Sequence, residues 1–250
     1  MEPYFDIVIG IFMLLFGVNF NLYYFLLVRK FRDVFHSEEL RTYLIIVATA
    51  VAAITLDILH IYHSVGTSLR HAFFQVSSII TTTGYATVDF NAWPAFSKAI
   101  LVMLMFIGAC AGSTGGAIKC SRVLLLLRAI RREIRQIIHP RSVNVVKLDG
   151  RVVDEKDLRS TMIFFAAYMF ITLAAILLVS VDNFSFGTTF TAVVTCIGNV
   201  GPGLEMVGPM GNFSAFSGFS KIVLSLCMIL GRLEIIPVLV LFSGTAWKKS

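Results

Sequence analysis

The residues of this chain whose spacing suits chemistry are carriers of backbone oxygen rather than reactive side chains. Thr82-Thr83-Gly84-Tyr85 and Asn199-Val200-Gly201 each set a glycine in a short polar turn after an apolar stretch. A hard monovalent cation that sheds its water needs several carbonyl oxygens, and glycine keeps a strand open enough to present them. The carbonyls of Thr82, Thr83, Gly84, Tyr85, Asn199, Val200 and Gly201 are therefore candidate cation ligands. The alternative is a pair of outer loops that rest on helices, with glycines in ordinary turns. A second constellation lies in GACAGSTGGAIK, where Gly108, Gly112, Ser113, Thr114, Gly115, Gly116 and Lys119 fall together, and in GRLEIIP, which carries Arg232. Ser113 to Gly116 concentrates helix-weakening residues at one depth and predicts a local break. Gly108 and Gly112 also have the GxxxG spacing of a packing face. A phosphate cradle is excluded, because the preceding strand and the Gly-Lys-Ser/Thr ending are absent.

The best enzymatic set is Asp57, His60, His63 and His71, with Asp57 to His60 and His60 to His63 at helical spacing. A membrane metalloenzyme or cytochrome is conceivable on that basis. Polar residues meeting water at the outer end of a helix account for the same pattern, and the chain is not read as an enzyme.

The elements that must position these groups are set by composition. Hydrophobic residues make up 57% of the chain and charged residues 14%, a balance that a soluble domain of this size does not need. An integral membrane protein follows. Apolar runs fall at Ile7 to Val28, Tyr43 to Tyr62, Ala95 to Ala111, Ile118 to Ile138, Met162 to Val181 and Ile222 to Phe242. Most approach the roughly 20 residues of a spanning helix, so about five crossings are expected, one of them broken. MEPYFD has no basic region, so Ile7 to Val28 reads as a permanent helix rather than a cleaved signal. The four cysteines, Cys110, Cys120, Cys196 and Cys227, lie in or beside apolar runs and form no disulfide or zinc pattern.

The net charge of +6 does not point to nucleic acid, because its distribution is that of a membrane protein. Basic residues cluster at Arg29 to Arg32, from Arg122 to Arg159 and at Lys248 and Lys249. Placing all three clusters in the cytoplasm satisfies the positive-inside bias. Gly66 to Phe90 and Asp182 to Phe216 then lie outside, each between an outgoing and a returning helix. Aligned on Gly84 and Gly201, Phe73 matches Phe190, Val76 matches Val193 and Ser78 meets Thr195. Apolar segments of about 10 to 14 residues between spans are candidate re-entrant elements. Their non-helical turns must line protein or water.

Between Ala95 and Ile138 runs one inward path, too long for a single span at about 1.5 Å per residue. Arg232 and Ser113 lie at comparable distances into the two inward elements, about 15 residues into Arg232's own, and a charge at such depth needs acceptors. The exposed carbonyls of the broken loop are the expected partners; snorkelling to the cytoplasmic interface is the alternative. Arg122 to Ile138 mixes arginine with apolar residues as an interfacial helix does, Pro140 stops it, and VNVVKLDGRVV alternates around Asp149-Gly150 like a hairpin. The basic segment suits anionic headgroups or a partner's surface.

Thr82-Thr83-Gly84-Tyr85-Ala86 is similar to the Thr-Val-Gly-Tyr-Gly of potassium channels. With GACAGSTGGAIK, RREIRQIIHPRSVNVVKLDGRVV, IGNVGPG and GRLEIIPVLVLF, the chain resembles the potassium-translocating subunit of the Trk/Ktr/HKT superfamily, bacterial Trk type, from about residue 40 onward. The resemblance implies an all-α integral membrane protein of the bacterial inner membrane, with helix, pore-helix, helix repeats around a pseudo-four-fold potassium-channel-like pore. Gly84 and Gly201 are then filter glycines of the third and fourth repeats, Gly108 to Gly116 is the gate, and Arg232 is its partner. It further implies potassium as substrate, no covalently bound cofactor, a homodimer, and a cytosolic regulatory subunit that binds ATP or NAD. Arg131, Arg132 and Arg135 are the expected contacts of that subunit.

The chain is expected to hold a linker helix of the preceding repeat (1–39), the third repeat (40–159) and the fourth (160–250). With two repeats where the family has four, it reads as a partial chain. A coupled secondary cation transporter and a non-conducting interaction subunit are the other readings.

Overall fold

In a computed structural model of the chain, residues 3–139 and 144–233 are described. They form ten α-helices and one two-stranded hairpin: α1 (Pro3–Phe16), α2 (Phe20–Leu27), α3 (Phe31–His36), α4 (Glu38–Tyr62), α5 (Val65–Ile80), α6 (Ala95–Ile107), α7 (Cys120–Ile138), β1 (Lys147–Leu148), β2 (Arg151–Val152), α8 (Glu155–Val179), α9 (Phe186–Gly198) and α10 (Gly218–Arg232). Pro140, the far end of the Ile222 to Phe242 run, Glu234, Lys248 and Lys249 lie outside the described residues.

The helices start where the sequence supplies a cap. Ser37, Ser64, Asp154, Ser185 and Ser217 each turn a side-chain oxygen onto a first-turn N–H of α4, α5, α8, α9 and α10, satisfying a donor that the helix cannot. By length and composition, α4 and α8 with its short 3₁₀ extension to Asp182 can cross a membrane. Their N-terminal residues, Glu38 and Glu155, mark one interface.

The structure corrects one helical expectation. Ile7 to Val28 is not one helix: α1 and α2 meet at 90°. Gly17 sits at the bend, where a Cβ would lie 2.4 Å from the Tyr43 hydroxyl, and Asn19 caps α2 by accepting from Asn21 N at 2.9 Å. Hydropathy is blind to such a break. The inward path from Ala95 is broken within GACAGSTGGAIK as expected, but the break starts before Ser113: Gly108, at φ +70°, ends α6 at Ile107, and the chain continues as a loop and α7.

Two helical units result. One packs α4, α5 and α6 around Tyr43, Ile54, Ile79 and Leu101; the other packs α8, α9 and α10 around Phe164, Tyr168, Ile197 and Leu224. Phe106 of α6 packs against both cores and stacks edge-on with Tyr168. The short helices α5 and α9 lie inside their units, almost wholly buried from Phe74 to Ile80 and from Thr191 to Gly198. On the outer face Asn91 locks the units together: its amide donates to Glu205 O at 3.0 Å and its oxygen accepts from Glu205 N at 2.8 Å. Hydrogen bonds from Ser185 and Thr188 hold the Glu205 carboxyl below the usual range.

Candidate functional site: two carbonyl turns above a looped helix break

The turns after α5 and α9 have the same backbone construction. Thr82 and Asn199 both adopt left-handed conformations, φ 57° and 56°. Thr83 N donates to Ser78 O and Val200 N to Thr195 O, each at 2.9 Å. Ser78 Oγ then donates to Tyr85 O at 2.6 Å, and Thr195 Oγ1 to Pro202 O at 3.1 Å. The N–H groups therefore face back onto the C-terminal ends of α5 and α9. The opposite side of each turn is left to oxygen: no carbonyl of Thr82, Thr83, Gly84, Asn199, Val200 or Gly201 accepts a hydrogen bond from another described residue. The turns also face each other, since a Cβ on Gly84 would lie 2.1 Å from Val200 O and one on Gly201 4.0 Å from Gly84 Cα. Two helix C-termini, each with partial negative charge, and a row of open carbonyls have the chemistry that a cation requires. Tyr85 differs from these six in having a donor on its carbonyl. Its carbonyl is held toward α5 by Ser78.

Below the turns, residues 108–119 leave the helix and return to it. Ile118 N, Lys119 N and Cys120 N donate to Phe106 O, Ile107 O and Ala109 O at 3.1, 2.9 and 2.9 Å, so the excursion is closed at its base. Its tip lies under both turns: Gly116 N donates to Thr82 Oγ1 at 3.0 Å, and a Cβ on Gly116 would meet Gly198 O at 2.5 Å. Arg232 Nη1 donates to Thr114 O at 2.7 Å, the contact expected from depth alone. Lys119, Arg122 and Arg232 line a cavity of about 210 Å³ beneath the loop.

The chain matches the family model of TrkH, described as a cation transport protein, over residues 1–249. It belongs to the TrkH family. It is 38% identical over 99% of its length to the Trk system potassium uptake protein TrkH of Salmonella typhimurium, covering 52% of that protein. It is 36% identical over 97% of its length to the potassium uptake protein TrkG of Escherichia coli, covering 50%. The crystal structure of the potassium transporter TrkH from Vibrio parahaemolyticus superposes with a TM-score of 0.90 at 31% identity, over 99% of this chain and 53% of that one. The chain thus spans about half the length of these relatives, and its fold is that of an all-α integral membrane protein.

Within this TrkH-family fold, several site residues carried no sequence signal. Glu39, buried at the start of α4, accepts from Ala111 N at 2.6 Å and Ser121 N at 3.2 Å, joining the loop to the first turn of α7. The α1–α2 bend holds the same stretch, with Cys110 N donating to Gly17 O at 3.0 Å and Phe20 N to Gly112 O at 3.1 Å. The bend and the loop thereby satisfy each other's open backbone, as non-helical chain at membrane depth requires. Glu39→Ala is expected to leave two half-buried N–H groups without acceptors, at about 1–3 kcal/mol each. A lowered Tm and faster amide exchange confined to residues 110–121 would register it, with Glu39→Gln close to wild type.

Arg131 and Arg135 are exposed on α7. Arg132 is drawn inward, pairing with Glu155 and with Glu133 at 3.2 Å, so it serves the α7–α8 junction. Of the enzymatic set, Asp57 accepts from Ser97 N at 3.1 Å and Ser97 Oγ at 2.6 Å, fastening the start of α6. His71 packs on Tyr62, and among the described residues no group of three or more His, Cys, Asp or Glu could hold a metal.

Proposed function

We propose that this chain forms two quarters of a potassium-uptake pore in the bacterial inner membrane, with the turns at Gly84 and Gly201 as its selectivity filter and residues 108–116 as its gate. The observation that carries the reading is the facing pair of turns whose six carbonyls have no donor among the described residues. A dehydrated potassium ion supplies what those oxygens lack. The names of the relatives, potassium uptake proteins, support the choice of ion.

The cavity beneath the loop adds a second barrier. The exposed guanidinium of Arg232 there opposes a cation leaving the filter while the loop stays in place. Movement of the loop with its arginine, rather than alternating access around the site, is the conduction step in this reading.

A homodimer and a cytosolic nucleotide-binding subunit belong to the same proposal through the family resemblance. Helix α7 begins directly after the loop and runs to the basic face, so a subunit that shifts α7 would act on the gate. Complete pores reconstituted in liposomes test the whole reading. Potassium uptake should exceed sodium uptake and rise without saturation at a fixed coupled-ion ratio. Equal fluxes of the two ions would refute the filter.

A further inference from the structure

A cleft of about 270 Å³ opens between α7 and the β1–β2 hairpin, walled by Arg128, Arg131, Arg132, Arg135 and Lys147 with Glu38 on one side. Two of the arginines are engaged. Arg128 pairs with Glu38 at 2.8 Å and with the Lys147 carbonyl; Arg132 pairs with Glu155 and Glu133. Arg131 and Arg135 have no side-chain partner among the described residues, and the buried Nε of Arg132 has no acceptor. The cleft therefore combines uncompensated positive charge with an unused donor.

Its depth is fixed by those same ion pairs. Glu38 and Glu155 are the first residues of α4 and α8, which among the described residues are the two helices long and apolar enough to cross the membrane. A cleft bonded to both helix starts lies where the hydrocarbon ends and the headgroups begin. Along α7, beside the basic face, Leu127, Ile130, Ile134 and Ile137 are exposed at helical spacing. Such a stripe next to arginines is the pattern of a helix lying against lipid.

We propose that this cleft holds the phosphate of an anionic phospholipid of the cytoplasmic leaflet, with Arg131 and Arg135 as charge partners and the α7 stripe against the acyl chains. The inference rests on the membrane placement of the fold, is independent of the filter and the gate, and gives Arg131 and Arg135 to lipid in place of the regulatory subunit expected from the resemblance. An acidic protein surface shares the charge requirement, but it does not account for the apolar stripe at the same level.

The test adds phosphatidylglycerol to the delipidated full chain in mild detergent and counts bound lipid by native mass spectrometry. Phosphatidylcholine and inorganic phosphate serve as the other probes. Phosphatidylglycerol should be retained over phosphatidylcholine, and the double variant Arg131→Gln, Arg135→Gln should lower its affinity roughly thirtyfold, at about 1 kcal/mol for each basic residue near an anionic surface and about 1.4 kcal/mol per tenfold. The double lysine variant should bind nearly as wild type, which separates lost charge from lost folding. Equal retention of both lipids would overturn the proposal, as would unchanged binding in the glutamine variant. Competition by millimolar inorganic phosphate as strong as that by the lipid would make this a soluble-anion site. Displacement of the lipid by an acidic polypeptide with no preference between headgroups would make it a protein-docking face.

Discussion

Serine in place of Gly84 is expected to abolish most of the preference for potassium over sodium. Gly84 lies at φ +80°, where an L-residue is strained by about 1–2 kcal/mol. A Cβ there would sit 2.1 Å from the Val200 carbonyl of the opposite turn. That neighbour is backbone, so it cannot swing aside as a flexible side chain can. Either residues 82–85 retreat or the Val200 carbonyl rotates, and both movements scatter the oxygens that replace the hydration shell. If only the conformational strain is converted into a displaced ligand, the potassium-to-sodium uptake ratio falls roughly tenfold; the overlap adds to this. Gly201→Ser is expected to do less. Its φ of +113° also disfavours a side chain, but the nearest atom to a Cβ there is 4.0 Å away. Uptake ratios measured in liposomes with the complete pore decide the order. A well-folded Gly84→Ser variant with the wild-type ratio removes Gly84 from the filter.

The two turns were legible because their chemistry is local. A glycine needed for a left-handed or crowded strand and the apolar stretch before it sit within a dozen residues, and Ser78 and Thr195 hold the same place in the two stretches. The broken helix announced itself in the same way, through Ser113-Thr114-Gly115-Gly116. Features made by contacts across long separations stayed hidden. Glu39 reads as an ordinary acidic first-turn residue until Ala111 and Ser121 arrive at its carboxylate. The bend at Gly17 is concealed inside an apolar run because hydropathy records side chains, whereas the bend depends on Tyr43 and the loop taking up its backbone groups. The hydrogen bond on Tyr85 O is hidden for a related reason: in a row of similar carbonyls, only the position of Ser78 tells which oxygen turns toward the helix. Arg132 likewise looked equal to Arg131 and Arg135 until Glu155 singled it out.

Removing the side chain of Arg232 is expected to raise potassium flux and to loosen its dependence on a regulatory subunit. Besides its contacts with the α1–α2 bend, among them Thr114 Oγ1 on Phe16 O at 3.4 Å, the loop tip has two tethers that bear on the pore. One is Gly116 N on Thr82 Oγ1, which belongs to the filter itself; the other is Arg232 on Thr114 O at 2.7 Å, which ties the loop to the second unit across the path. Loss of Arg232 frees the tip on that side and removes a positive charge from the cavity below, so both consequences favour cation passage. A hydrogen bond to a charged group contributes about 1.5–3 kcal/mol. Arg232 is exposed, so the lower end applies and the closed–open balance shifts roughly tenfold. Lysine at 232 keeps the charge and one donor but not the planar guanidinium, and it should fall between wild type and alanine. Deleting residues 112–116 removes both tethers and should exceed Arg232→Ala. If Arg232 only reaches toward the cytoplasmic interface, alanine and lysine variants both conduct as wild type does. Potassium flux through reconstituted wild type, the two substitutions and the deletion, each with and without the nucleotide-binding subunit, separates these outcomes. A folded Arg232→Ala variant that conducts no faster than wild type ends the gating assignment while leaving the filter untouched.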